Sequence, residues 1–165
     1  MKGTVLVVAL EEDFRSGIKV HLQKRGYRVL GAADQAEAVG LLDLSDVDVV
    51  VWHCFSGDRC GWILMDHVRT LSPAPPVILL VPKGQVQHGI EGMKRGAFDD
   101  LLIPFAWENL EETVEAAIKA GRKAVKNRKS LRPWEKDSTA AEVPSGTGGF
   151  QTVEEQEKGQ DQRGK

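Results

Sequence analysis

Short apolar runs alternate along this chain with longer stretches in which apolar residues return every three or four positions. The first run, Thr4–Val8, is β-branched and almost wholly apolar, which suits a strand buried on both faces. Glu11, Glu12 and Asp13 follow, acidic residues that oppose the positive end of a helix dipole. Phe14, Ile18 and Leu22 then recur at helical spacing until Gly26 stops the helix. The pattern repeats four more times. Strands are predicted over residues 27–32, 47–53, 77–81 and 98–103. Helices are predicted over 34–42, 61–71 and 85–95, and from Trp107 to the late 120s. The second helix turns Ala38, Val39, Leu41 and Leu42 inward, and the third carries Ile63, Leu64, Val68 and Leu71. The fourth has Val86, Ile90 and Met93 on one side, and the fifth an inner stripe of Leu110, Val114, Ala117, Ile118 and Val125.

Strands and helices in strict alternation imply βα units, hence an α/β fold with a five-stranded parallel sheet between two helical layers. These units fill residues 1–129. Residues 130–165 are poor in aliphatics and rich in Glu, Gln, Lys, Gly and Ser, so they cannot offset their chain entropy by burial and are expected to be a disordered tail. In open α/β sheets ligands bind beyond the carboxyl ends of the strands. The residue at the end of the longest apolar run is His53, followed by a polar loop with Cys54, Cys60 and two glycines.

Charge and composition narrow the function classes. A formal net charge of −2 gives no general pull toward nucleic acid or membrane, and no apolar stretch approaches the ~20 residues of a membrane span. The apolar run after Met1 is too short for a signal peptide, so a cytoplasmic location is expected. Two cysteines make no disulfide framework, and reduced thiols are expected.

The order and spacing of several segments resemble the receiver domain of two-component response regulators, over roughly residues 3–122. Val5-Leu6-Val7-Val8 is similar to that family's first strand, and Arg25-Gly26-Tyr27-Arg28-Val29 to the turn into the second. Pro75-Pro76-Val77-Ile78-Leu79-Leu80 resembles the fourth strand. Gly96-Ala97-Phe98 through Ile103-Pro104-Phe105 resembles the fifth and its ends. The resemblance implies a flavodoxin-like (βα)5 sandwich and signalling by phosphotransfer. It also implies a cis peptide before Pro104 and an output face formed by the fourth and fifth helices with the fifth strand.

The family's reactive residues do not carry over. Ala9 and Leu10 stand where receivers hold magnesium with an acidic pair, and His53 stands where they accept the phosphoryl group. Val81 replaces the hydroxyl residue, Ile103 the lysine, and Asp100 the switch aromatic; Gly61 and Pro104 keep the pattern. Magnesium wants oxygen ligands, and developing phosphoryl charge must meet a metal, a lysine or oriented donors. A two-residue slip would make Glu11 and Glu12 the acidic pair, but it breaks an otherwise ungapped match. The expectation is a degenerate, pseudo-receiver-like domain that is no enzyme and needs no cofactor. It would bind a protein partner without phosphorylation control, and a homodimer is compatible with this. With no output domain following the receiver-like part, any effect would be exerted through binding.

Two other functions are weighed. His53 could serve as an unconventional phosphorelay acceptor, since imidazole is a nucleophile. Alternatively His53, Cys54, Cys60 and His67, all of types that bind zinc, could make a metal, thiol or small-molecule sensor of the emptied pocket. The blander reading is a histidine bonded to a loop carbonyl and two semi-buried thiols. Lys119, Arg122, Lys123, Lys126, Arg128, Lys129 and Arg132 form a basic run that a helix C-terminus explains, and no DNA-binding unit follows it. Gly84, Gly89, Gly92 and Gly96 make no phosphate loop and mark a fourth helix of low intrinsic stability. Trp52, Trp62 and Trp107 are expected to flank the pocket as core or rim packing.

Overall fold

The structure, a computed structural model, describes residues 1–53 and 62–130. Five strands and five helices alternate: β1 (Thr4–Val8), α1 (Glu12–Lys24), β2 (Arg28–Ala32), α2 (Gln35–Leu44), β3 (Val49–His53), α3 (Ile63–Val68), β4 (Val77–Pro82), α4 (Val86–Lys94), β5 (Asp99–Ile103) and α5 (Trp107–Ser130). All paired strands are parallel, in the order β2-β1-β3-β4-β5. By packing the chain divides into Met1–Ala124 and Val125–Lys165. Of the second unit only residues 125–130, the end of α5, are described. The expected tail, apart from the helical Ser130, therefore lies outside the described residues.

Alternation along the strands sorts the core into two layers. Leu6, Val8, Val50, Trp52, Leu79 and Val81 face the side of α2, α3 and α4, with Ala38, Leu42, Leu64, Met65 and Val68 in the same layer. Val5, Val7, Val49, Val51, Ile78 and Leu80 face the other way, onto Ile18 and Leu22 of α1 and Leu110, Val114, Ala117 and Ile118 of α5. Glu111 ties these last two helices together, 2.6 Å from Nε2 of His21 and 2.7 Å from Nε of Arg25. The His21 hydrogen bond, with Arg25 assisting, holds the Glu111 carboxyl below its ordinary pKa.

Element ends depart from expectation for local reasons. Tyr27 does not begin β2: its amide donates to Leu22 O at 3.2 Å, closing α1 around Gly26, whose φ of +98° is left-handed. Asp34 lies just outside α2 as its cap, accepting from the Glu37 amide at 2.8 Å, and α2 runs on to Leu44. Helix α3 is shorter than predicted because the amides of Thr70 and Leu71 donate to His67 O and Val68 O, three residues back, tightening the chain into a turn. Ile63 is 51% exposed, and Met65 takes its expected inward place. The first turn of α3 is capped from outside: Oε1 of the buried Gln35 accepts from the Leu64 amide at 2.8 Å.

Helix α4 is built the other way round from an ordinary amphipathic helix. Its buried residues are Gly89 and Gly92, while Val86, Ile90 and Met93 are 51%, 41% and 39% exposed. The glycines are thus the seat of the helix on the sheet, a packing role that adds to their low helix propensity. A Cβ on Gly92 would lie 2.2 Å from Leu79 Cδ1 and 3.4 Å from the Trp62 ring; one on Gly89 would lie 3.0 Å from Val81 Cγ2.

Gly92→Ala is therefore expected to lower stability by about 1–2 kcal/mol, overpacking against the fully buried Leu79 outweighing the gain in helix propensity. Gly40→Ala in α2, with nothing within 4 Å of the added carbon, should raise it by about 0.5–1 kcal/mol. Urea midpoints of the two variants test this, and equal shifts of the same sign would mean that α4 does not sit close on β4.

Candidate functional site

The pairing register brings the singled-out residues to one edge of the sheet. Val8 is opposite Trp52, so Ala9 and His53 follow side by side where β1 and β3 run out. Val81 pairs with Leu102 and Pro82 with Ile103 at the same edge. Glu11 is the residue before α1 and Glu12 its first residue, both exposed. The structure thus sets Ala9, and not Glu11, next to His53 without a slip. The Ile103–Pro104 peptide is cis, as is Ser72–Pro73.

Sharing an edge, these side chains nevertheless diverge. Ala9 is 2% exposed and Leu10 66% exposed, turned to solvent. Val81 is fully buried in the layer beneath α4, whereas Ile103 packs into the α1/α5 layer. His53 is half-buried, its ring 5.0 Å from that of Phe14 and tilted by 55°. Asp100 belongs to the α4 side, with Oδ2 3.4 Å from where a Gly89 Cβ would stand.

One residue at this edge carried no signal in the sequence. Arg15 Nη1 donates to Ala9 O at 2.7 Å and lies 3.5 Å from Leu10 O, and its stem runs along Gly31. A guanidinium thus sits on the backbone of the two positions where the family resemblance places metal-binding carboxylates. The methyl of Ala9 and the outward isobutyl of Leu10 offer a magnesium ion no oxygen, and the Ala9 carbonyl already accepts from the cationic Arg15. These residues do not fit that ion.

The other candidates are scattered. His67 Nε2 lies 2.8 Å from Asp43 Oδ1, pairing α3 with α2 on the layer opposite His53. Cys54, Cys60 and Gly61 lie outside the described residues. Among the described residues no group of three or more His, Cys, Asp or Glu could hold a metal ion. The tryptophans do not form one rim. Trp52 and Trp62 meet edge to face at 5.6 Å on the α3 side, and Trp107 stacks on His21 at 4.3 Å. In the basic run Lys119 pairs with Glu115 at 3.4 Å and Arg122 donates to Lys2 O at 3.1 Å, while Lys123, Lys126 and Arg128 are exposed. The side chain of Lys129, and Arg132, lie outside the described residues.

Burial pushes the His53 imidazole below its ordinary pKa, and the nearby charge of Glu11 opposes that shift. A histidine with a depressed folded pKa contributes stability that is complete above the unfolded value of about 6.5 and is lost as pH falls through the folded one. An NMR titration should therefore place His53 below that value, and Glu11→Gln should move it lower still. A His53 midpoint at or above the unfolded value would show a hydrated ring.

Comparison with known proteins agrees with this architecture. The model of the response regulator receiver domain matches residues 5–115. A probable transcriptional regulator ycf27 of Guillardia theta is 31% identical over 123 residues, covering 74% of this chain and 48% of that protein. The transcriptional regulatory protein CusR of Escherichia coli is 26% identical over 117 residues, covering 71% of this chain and 52% of CusR. The chain therefore spans about half the length of these curated relatives. A receiver domain crystal structure from Clostridium thermocellum superposes with a TM-score of 0.66 at 26% identity, covering 74% of this chain and 98% of that one. The chain belongs to the response regulator receiver domain family of two-component signalling.

Proposed function

We propose that this receiver domain is a degenerate one: not an enzyme, and a module that binds a protein partner without phosphorylation control. The observation that carries the reading is the make-up of the sheet edge. Ala9 and Leu10 supply no oxygen ligand, Val81 no hydroxyl and Ile103 no cation. The Arg15 guanidinium occupies the backbone beside them. A phosphoryl group arriving there would meet neither metal nor lysine to balance the charge that develops during transfer.

Partner binding is supported by the surface of α4 and β5. Asp100 and Leu102 lie on the α4 face of β5, two residues apart, and Leu102 is 50% exposed. Val86, Ile90 and Met93 of α4, which packs on that same face of the sheet, add further exposed apolar surface. Among the described residues no helix is long and apolar enough to cross a membrane.

Incubation with acetyl phosphate and magnesium is expected to leave the intact mass unchanged. A stable gain of one phosphoryl group, on His53 or elsewhere in the domain, would overturn the reading. A second test restores the missing acids. Ala9→Asp, Leu10→Asp and His53→Asp together crowd like charges, and should lower stability in metal-free buffer by about 1–2 kcal/mol. Magnesium should recover part of that loss by binding the folded state, while phosphorylation still fails for want of a hydroxyl and a lysine. A triple variant as stable as wild type and indifferent to magnesium would place the pocket elsewhere.

A further inference from the structure

Helix α4 poses a physical problem. Turning Val86, Ile90 and Met93 outward and two glycines inward gives up the burial that normally fixes a helix's rotation on a sheet. Its nine residues include two glycines, so intrinsic propensity holds it weakly as well. Something other than a hydrophobic stripe must set its rotation.

At 100° per residue the helix surface divides into three strips. Gly89 and Gly92 form the strip against β4. Val86, Ile90 and Met93 form one flank. His88 and Arg95, seven residues apart, share the opposite flank, and both reach the same side chain. The His88 ring stacks on Trp62 at 4.8 Å and 25°, and the Arg95 guanidinium lies 5.1 Å from the Trp62 ring. Arg95 is itself held by Glu91, Nε to Oε2, at 3.0 Å. Trp62, just before α3, stands edge-on to Trp52 of β3, which is 2% exposed, and lies against Gly92. The tryptophan thus packs edge-on against the buried Trp52 and is gripped by His88 near the start of α4 and by Arg95 just past its end.

We propose that Trp62 is the positioning residue that fixes the rotation of α4 and thereby keeps its aliphatic flank presented beside β5. This rests on the reading of that flank as the partner surface, and adds how the surface is held ready with no phosphorylation event. Two contacts a full two turns apart resist rolling as well as lifting, which a single contact would not. Stacking and the cation–π contact supply directional attraction where hydrophobic burial is missing. If the grip is released, the helix can roll toward burying Val86, Ile90 and Met93, or fray.

Hydrogen exchange of the full chain, without partner or phosphodonor, tests this apart from the phosphorylation question. Trp62→Leu should speed amide exchange across residues 86–94 by about tenfold while β1, α1 and α5 stay as in wild type. Trp62→Phe, which keeps a stacking face, should remain near wild type. The pair His88→Gln and Arg95→Gln changes only partly exposed positions and leaves the core intact. It should reproduce the acceleration confined to 86–94. Unchanged exchange there in the double variant, or Trp62→Phe behaving as badly as Trp62→Leu, overturns the proposal. Acceleration spread over the whole domain in the double variant does so too.

Discussion

Burial of the central strands on both faces is the constraint on which the rest of this structure depends. β1, β3 and β4 lie inside the sheet order, and each must find apolar cover above and below at once. Their near-continuous Val, Leu and Ile sequences meet that demand, and successive residues feed opposite layers. Because parallel strands need crossovers, the helices follow as a consequence, and so does the clustering of all five carboxyl ends at one edge. The candidate site is where it is because the chain has no other place to turn.

That hydrophobic logic is why so much of the fold was legible in the sequence. β1, β4 and the inner stripes of α1 and α5 follow directly from periodicity, since their burial and their spacing express the same force. Helices α3 and α4 read less well. In α3 the choice of Met65 over Ile63 as the inward residue depends on how far the helix has rotated by its first turn, which Gln35 sets from another element. In α4 the spacing of Val86, Ile90 and Met93 was right, but the apolar side proved to be the outside. Periodicity reports that a stripe exists and is silent on which neighbour it meets.

The candidate site divides along a similar line. Which residue types occupy Ala9, Leu10, His53, Val81 and Ile103 is written in the sequence, and the register runs the strands that carry His53, Val81 and Ile103 to one edge. What each side chain does there is a tertiary matter. Val81 turns toward α4 and Ile103 toward α5, so the two never face a common centre. Arg15 was invisible because its partners are main-chain carbonyls, present at every position and therefore marked by no residue type.

The division of labour on α4 has a consequence for how this domain could change. Gly89 and Gly92 lie against the sheet and His88 and Arg95 against Trp62, while Val86, Ile90 and Met93 are partly exposed on the other flank. Contact with the sheet and exposed aliphatic surface thus fall to different residues of one short segment. The outward three can change in size and polarity at less cost to folding than the buried glycines, because they are partly exposed. Under the proposed function, descendants of this domain could exchange one partner for another through a handful of surface replacements, keeping the same seat beneath.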